Sequence, residues 1–186
     1  LGNLQRQIAH ATSDIGCNKA ESVAASIREL NPEISVEVIP RALDEAALPG
    51  LLAKADLVVD ATDNYPIRFA LNRACIAAGV PLVSGAAVRS EGQIALFDPV
   101  RGGPCYRCLY PEEGEVTALS CSESGVLAPV VGVIGSLQAM EALKVLANFG
   151  EPLRGHLLVL DLRSMEIHRL ALLPRPDCPD CGHLQG

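Results

Sequence analysis

The stretch Leu57–Val88, LVVDATDNYPIRFALNRACIAAGVPLVSGAAV, carries the clearest signal of the fold class. It begins with a compact apolar strand pattern, LVV, and continues with helical spacing of apolar residues from Arg68 to Ala78. Gly79 is a typical helix stop. The segment VPLVSGAAV then predicts another strand. Strand, helix and strand in this order indicate a βαβ unit, so the stretch predicts parallel strands with a helix packed on the sheet.

Further elements extend this pattern in both directions. Before the stretch, helical spacing runs from Lys19 to Leu30, alternation over 34–38 predicts a strand, and a short helix is predicted over 44–53. After it, GQIALFDP predicts a strand, and 98–124 is predicted to be a loop. A long apolar helix, which we interpret as buried, then reaches about Leu146, and HLLVLD with MEIHRLAL predicts a β-hairpin. We therefore expect a largely parallel sheet with helices on its faces.

Length and composition set limits on the class of protein. The chain has 186 residues, of which 49% are hydrophobic and only 3% aromatic, so we expect one domain, 1–186, with an aliphatic core. The net charge of -7 argues against a general nucleic-acid surface. The longest uncharged apolar run, 125–140, is shorter than the roughly 20 residues of a membrane helix. No signal peptide is recognised at the start, and we predict a cytoplasmic protein with no membrane partner.

Two C-x-x-C pairs account for four of the seven cysteines. A C-x-x-C turn directs both sulfurs at one point about 2.3 Å from each, which is the Zn–S distance, and two such turns complete a tetrahedron. The pattern predicts a zinc ion that ties the C-terminal tail to the mid-chain loop. Four protein ligands leave no open position, so the zinc is predicted to be structural. The predicted ligands are Cys105, Cys108, Cys178 and Cys181.

A redox role for these cysteines stays open beside zinc binding. The form C-P-x-C also occurs in thiol-exchange proteins. Such a pair usually sits at a helix N-terminus, which lowers the thiol pKa, whereas Gly182 follows the second pair here.

Polar residues follow the first predicted strand of the Leu57–Val88 stretch, at Thr62, Asp63 and Asn64. In open α/β sheets ligands bind beyond the carboxyl ends of the strands. A short acidic residue there can hold Mg²⁺ near the phosphates of a nucleotide. The alternative is a helix cap, in which Asp63 or Asn64 accepts the free N–H groups of the following helix.

The beginning of the chain offers positive charge. Arg6, within NLQRQ, can pair with phosphate oxygens through two parallel hydrogen bonds, and Lys19 opens the next helix. Both residues are also common as solvated surface residues, so the pattern by itself leaves their role open.

A conjunction of motifs carries a family resemblance across nearly the whole chain. In order they are NLQRQ, the lysine at position 19, ATDN, LVSGAAVRSEGQI, PCYRC, SGVLAPVVGVIGSLQAMEALK and CPDCG. The chain resembles the MoeB/ThiF/HesA family of sulfur-carrier-protein adenylyltransferases, which is related to the ubiquitin-activating enzymes. GAAVRSEGQI is more similar to the MoeB side. The resemblance implies a Rossmann-like, mostly parallel sheet flanked by helices, with an antiparallel C-terminal extension and a structural zinc site.

The resemblance also implies roles for particular residues. Arg6, Lys19 and Asp63 would be catalytic, with Asp63 binding Mg²⁺, and the four cysteines would be the zinc ligands. Cys121 matches a loop cysteine that takes part in sulfur or thioester chemistry in some relatives; a spare thiol is the alternative. Cys17 and Cys75 are interpreted as packing residues. The ATP-contacting set would be Gly2, Asn3, Leu4, Gln5, Arg6, Lys19, Asp63, Asn64 and Arg68.

The implied reaction is ATP-dependent adenylation of the C-terminal glycine of a small β-grasp carrier, MoaD- or ThiS-like. Its products are a carrier acyl-adenylate and pyrophosphate. A homodimer is implied as well, with the apolar helix 126–146 as one contributor.

The chain departs from the family before NLQRQ. The family carries there a first βαβ unit with a G-x-G-G-x-G turn, and this portion is expected to be missing here. A non-catalytic, zinc-stapled carrier-binding or dimerisation module is therefore the alternative function. A nicotinamide-dependent oxidoreductase is disfavoured because the G-x-G-x-x-G fingerprint is absent.

Overall fold

The computed structural model describes residues 2–110 and 125–184. The chain divides into two compact units, Leu1–Asp44 and Glu45–Gly186. In the first unit, a 3-10 turn, Thr12–Asp14, precedes helix α1, Lys19–Leu30. The Asn18 side chain caps α1 by accepting a hydrogen bond from the Ala20 N–H. The helix predicted over Lys19–Leu30 is thus confirmed, while the single domain 1–186 stays a prediction.

The strand predicted over 34–38 is wrong. No strand occurs among the described residues of the first unit. A strand leaves its backbone donors and acceptors unpaired unless a neighbouring strand lies beside it. Here the Val36 carbonyl instead accepts a hydrogen bond from the Arg28 guanidinium at 3.0 Å.

The second unit contains one five-stranded sheet, with the strands in the order β1-β2-β3-β4-β5. Short 3-10 turns lie at Glu45–Ala47, Pro99–Arg101 and Gly182–Leu184. The strands are β1 Val58–Asp60, β2 Leu82–Val88, β3 Glu91–Phe97, β4 His156–Asp161 and β5 Glu166–Ala171. The helices are α2 Leu48–Leu52, α3 Tyr65–Ala78, α4 Tyr106–Leu109 and α5 Ala128–Leu146.

The expectation of an α/β fold with helices flanking the sheet and an antiparallel C-terminal part is confirmed. The expectation of a mostly parallel sheet is wrong for the described strands, which form a mixed sheet. Only β1 and β2 run parallel, and β2–β3, β3–β4 and β4–β5 are antiparallel. Arg89 and Ser90 alone connect β2 to β3, and Arg89 has φ 54°. So short a connection permits only antiparallel neighbours.

One core cluster lies between the sheet and α5. Val83, Ile94 and Leu96 are fully buried there. Two glycines let the helix approach closely: a Cβ atom at Gly85 would lie 2.4 Å from Gln138, and one at Gly92 would lie 2.5 Å from Ile134. The small residues of β2 and β3 therefore fix how deeply α5 sits on the sheet.

Helix α5 is buried on one side only, so its interpretation as a buried helix is wrong. Val130, Ile134, Gln138 and Glu141 are buried, whereas Val133, Met140, Leu143 and Leu146 are exposed. Among the described residues α5 alone is long and apolar enough to cross a membrane, judged by length and composition. A helix that packs on the core of a globular protein meets the same criterion, so this is weak evidence of a span.

Candidate active site and metal cluster

A buried carboxylate, Asp60, ends β1 and organises the loop that follows. Its exposed fraction is 1%. One oxygen accepts hydrogen bonds from both the N–H and the hydroxyl of Thr62, at 2.8 and 2.7 Å. The other accepts from the Ser84 hydroxyl at 3.0 Å. Because β1 and β2 pair in parallel, Asp60 lies beside Ser84, and their hydrogen bond holds the end of β1 against β2.

Arg68, on the first turns of α3, holds the same loop from the other side. Its side chain is 9% exposed, and its Nε lies 3.7 Å from the Asp60 carboxylate. The guanidinium donates to the carbonyls of Thr62 and Gly85. Burial is the largest single influence and lowers the pKa of Arg68, but attraction to Asp60 and the interactions with Tyr106 and Tyr110 together outweigh it, so the pKa of Arg68 is raised. These partners make Arg68 a support of the loop, and its predicted contact with ATP stays a prediction.

Asn64, rather than Asp63, caps α3. The Asn64 side chain accepts a hydrogen bond from the Ile67 N–H at 3.1 Å. Within 2–110 and 125–184, the exposed Asp63 carboxylate has no hydrogen bond or ion pair. Of the two alternatives for this position, the cap therefore belongs to Asn64, and the oxygens of Asp63 are available to a hard cation such as Mg²⁺.

The first unit contains the other predicted ATP-contacting residues. The Arg6 guanidinium donates to the Asn3 side chain at 2.7 Å and approaches the Gly2 carbonyl at 3.5 Å. Lys19 is the exposed first residue of α1. Leu4 is half-buried and Gln5 is exposed. The structure thus brings Arg6 to Asn3, and Asp63 belongs to the second unit.

A cavity of about 330 Å³ lies within the second unit, next to the first turn of α3 that follows the Thr62–Asn64 loop. Arg68, Tyr65 and Tyr110 line one part of it. The remaining wall comes from β2 and β3, including Gly92 and Gln93. This volume is in the range of small-ligand sites.

The four predicted metal ligands come together. The sulfurs of Cys105, Cys108, Cys178 and Cys181 all lie within 4.8 Å of one another, and all four residues are buried. The Sγ–Sγ distances are 3.9 Å for Cys105–Cys108, 3.6 Å for Cys105–Cys178 and 3.5 Å for Cys108–Cys181. A Zn–S distance of about 2.3 Å in a tetrahedron requires edges of about 3.8 Å. The donor set therefore fits zinc, with no position left for substrate.

The thiols of this cluster influence one another strongly. The hydrogen bond with Cys108, and then burial, raise the pKa of the Cys105 thiol. The same hydrogen bond lowers the pKa of Cys108 to about 4. Burial raises the pKa of Cys181 to about 12. A cation at the centre would replace the protons on these sulfurs, as metal binding by thiolates requires.

The remaining cysteines differ in exposure. Cys75 is 3% exposed, and burial raises its pKa to about 12, which agrees with a packing residue. Cys17 is exposed, so its interpretation as a packing residue is wrong. Cys121 lies outside the described residues, and its proposed reactivity stays a prediction.

Three buried polar residues of the site were missed by sequence reasoning: Asp60, Asn72 and Gln138. Gln138 donates from α5 to the carbonyls of Asp60 and Val83, at 2.7 and 3.3 Å. Asn72 lies four residues after Arg68 and is 1% exposed. For Asn72 the available signal was its spacing of four residues from Arg68, which places two polar residues on one side of α3.

Comparison with known proteins identifies the family of this chain. The ThiF family model matches residues 1–180. The chain belongs to the ThiF family. The molybdopterin-synthase adenylyltransferase of Escherichia coli (strain K12) is 48% identical over 182 residues, covering 98% of this chain and 73% of that protein. The SAMP-activating enzyme E1 of Haloferax volcanii is 45% identical over 97% of this chain and 66% of that protein.

Solved ThiF-like structures agree with the fold. The structure of E. coli MccB with ATP superimposes with a TM-score of 0.82 at 26% identity, covering 97% of this chain. This chain spans 55% of the MccB chain. A sulfur carrier protein adenylyltransferase of Thermus thermophilus is also similar, 42% identical over 98% of this chain and 69% of that protein.

Proposed function

We propose that this ThiF-family chain takes part in ATP-dependent adenylation of the C-terminal glycine of a small β-grasp sulfur-carrier protein. The observation that carries the proposal is the 48% identity over 98% of the chain with an adenylyltransferase of this kind. The supported loop that presents the exposed Asp63 carboxylate is the structural feature that fits it.

The proposed reaction joins two anions. A carboxylate oxygen of the carrier attacks the α-phosphorus of ATP, the bond to the β-phosphate breaks, and pyrophosphate leaves with the bonding electrons. Charge repulsion between the carboxylate and the phosphates opposes the attack, so positive charge must be placed on the phosphates. In this proposal Arg6 and Lys19 supply that charge.

Asp63 would hold Mg²⁺, which supplies further positive charge to the phosphates when it is bound. Asp60 and Arg68 keep the Thr62–Asn64 loop in place through the contacts described above. The cavity lined by Tyr65, Arg68 and Tyr110 is a fitting place for the carrier's C-terminal residues, since its volume of about 330 Å³ is in the range of small-ligand sites. Gly2, Asn3, Leu4, Gln5 and Asn64 complete the proposed nucleotide contacts.

The finer assignments belong to the same proposal. Zn²⁺ at the four cysteines would be structural, because they complete its coordination. Similarity to two molybdopterin-synthase adenylyltransferases favours a MoaD-like carrier and molybdenum-cofactor biosynthesis over the ThiS-like alternative. The exposed apolar side of α5 is consistent with a homodimer. A cytoplasmic location is proposed with this function.

The deciding experiment is ATP–pyrophosphate exchange with labelled pyrophosphate, measured with and without a carrier that ends in Gly-Gly. Asp63→Ala is the test variant, and Asp56→Ala, an exposed acidic residue before β1, is the matched control. We expect carrier-dependent exchange that falls at least about a hundredfold in Asp63→Ala and less than twofold in Asp56→Ala. Both variants should melt within about 2 °C of the parent, since both positions are exposed.

Two results would contradict the proposal. Exchange that survives unchanged in Asp63→Ala would remove the proposed role of its carboxylate. Tight binding of the carrier without any exchange would favour the alternative of a zinc-stapled binding module.

A further inference from the structure

Asn72 occupies an unusual position for an amide side chain. It lies in the middle of α3, a helix that otherwise buries mainly apolar residues, and its exposed fraction is 1%. Burying an amide costs free energy unless its donors and acceptors are satisfied. The hydrogen-bond partners of the Asn72 side chain therefore indicate its role.

The Asn72 side chain contacts both metal-binding turns at once. Its Oδ1 accepts a hydrogen bond from the Tyr106 N–H at 2.8 Å, and Tyr106 directly follows Cys105. Its Nδ2 donates to the Asp180 carboxylate at 2.9 Å, and Asp180 lies between Cys178 and Cys181. One amide thus joins two turns that are 73 residues apart in sequence, as measured from Cys105 to Cys178.

The chemistry of the two contacts is suited to an anionic metal cluster. Four thiolates around Zn²⁺ carry a net negative charge, and the Asp180 carboxylate adds another nearby. The Nδ2–H of Asn72 satisfies that carboxylate without adding a negative charge of its own. The Tyr106 N–H is a buried backbone donor that would otherwise lose its partner.

We propose that Asn72 is a positioning residue for the metal site: by holding Tyr106 and Asp180 it keeps the two C-x-x-C turns in the arrangement that retains the metal. Residues that orient metal ligands without touching the metal change metal affinity by about 10- to 100-fold when they are replaced. The inference concerns metal retention alone and does not depend on the adenylation proposed above.

The proposal can be tested by exchanging the amide at position 72 and the carboxylate at position 180. In Asn72→Asp a carboxylate would face the Asp180 carboxylate, so repulsion should open the contact. In the double variant Asn72→Asp with Asp180→Asn, the new carboxylate accepts from both Tyr106 and the new amide, so both hydrogen bonds return. Asp180→Asn alone keeps an oxygen that can accept from Asn72.

The measurement is the rate of zinc transfer from the zinc-loaded chain to the chromogenic chelator 4-(2-pyridylazo)resorcinol at pH 7.5. We expect release at least about tenfold faster in Asn72→Asp. The double variant and Asp180→Asn should lie within about threefold of the parent, because each preserves the hydrogen bond between positions 72 and 180. A residue that merely filled space would not be rescued by a change at position 180.

Release at the parental rate in Asn72→Asp, or no rescue in the double variant, would overturn the proposal. If Asn72→Asp does not fold, a folded, zinc-loaded double variant supports the proposal.

If neither of these variants folds, the rate of zinc release from Asp180→Ala tests the proposal, with Asp177→Ala as control. Asp177 also adjoins Cys178 but is exposed and pairs with Arg175. Release at least threefold faster in Asp180→Ala than in this control supports the inference, and equal rates overturn it.

Discussion

The two ends of α3 differ in how far the residues around them are enclosed. Its metal end, from Asn72 to Ala78, is enclosed: Asn72 reaches both metal-binding turns, and Ile76 packs on the four cysteines. Its loop end comprises the first turn, up to Arg68, and the Thr62–Asn64 loop before it. Asp60 holds this loop through hydrogen bonds from Thr62, but Asp63 stays exposed. Enclosure suits a structural metal, which needs every position filled, whereas an exposed carboxylate suits a site that must admit and release ligands.

The largest effect is expected from breaking the metal end. Cys178→Ser removes one of four ligands and leaves a cluster that holds zinc poorly, so we expect zinc content to fall from one per chain to near zero. Loss of the metal should cost more than about 5 kcal/mol in the free energy of unfolding. Metal analysis and thermal melting measure the two quantities. Cys17→Ser, an exposed cysteine, is the control; full zinc content in Cys178→Ser would refute a four-cysteine site.

Removing the cation at the loop end should lower the free energy of unfolding by a smaller amount. Arg68→Met leaves the Asp60 carboxylate buried without its cation, which should cost about 3–5 kcal/mol. Denaturant unfolding measures this loss, and zinc content should stay at one per chain.

The control for that change lies on the same helix. Arg73→Met breaks an exposed ion pair with Glu45 at 2.9 Å and should cost less than about 1 kcal/mol. Equal losses in the two variants would mean that the buried pair of Asp60 and Arg68 does not stabilise the loop end.

The close packing of α5 behind the loop end gives a third test. A methyl group at Gly85 would meet Gln138, which also donates to the Asp60 carbonyl, so Gly85→Ala should cost about 2 kcal/mol. Gly135→Ala, where nothing lies near the new methyl group, should instead be neutral or stabilise the helix by up to about 1 kcal/mol. Chemical denaturation of both variants compares them, and a neutral Gly85→Ala would show that α5 is free to move outward.

The smallest effect is expected at the cap. Asn64→Ala removes the acceptor of the Ile67 N–H and should cost about 1 kcal/mol. Asn64→Asp keeps an acceptor and should recover most of the loss. Thermal melting of the pair measures this, and equal destabilisation of both would argue against the cap.

Local sequence patterns located most of the helices and strands, but they did not predict how the strands pair. α3 and the β4–β5 hairpin follow from apolar spacing and turn residues, which act over a few positions. The strand expected at 34–38 fails because pairing needs a partner that spacing does not reveal. The direction of β3 follows from the two-residue turn at Arg89 and Ser90, a signal present in the sequence but outweighed by the alternation of strands and helices.

The sequence alone was enough to predict that the two C-x-x-C pairs meet in one cluster, because ligand type and spacing are properties of short segments, and the structure brings the four sulfurs together. The role of Asp63 in binding Mg²⁺ stays a prediction. The sequence could not determine that Asn64 takes the cap, that Asp60 and Arg68 hold the loop, or that Asn72 joins both C-x-x-C turns. Those decisions belong to the tertiary structure, because a buried polar group is retained only where distant residues supply its partners.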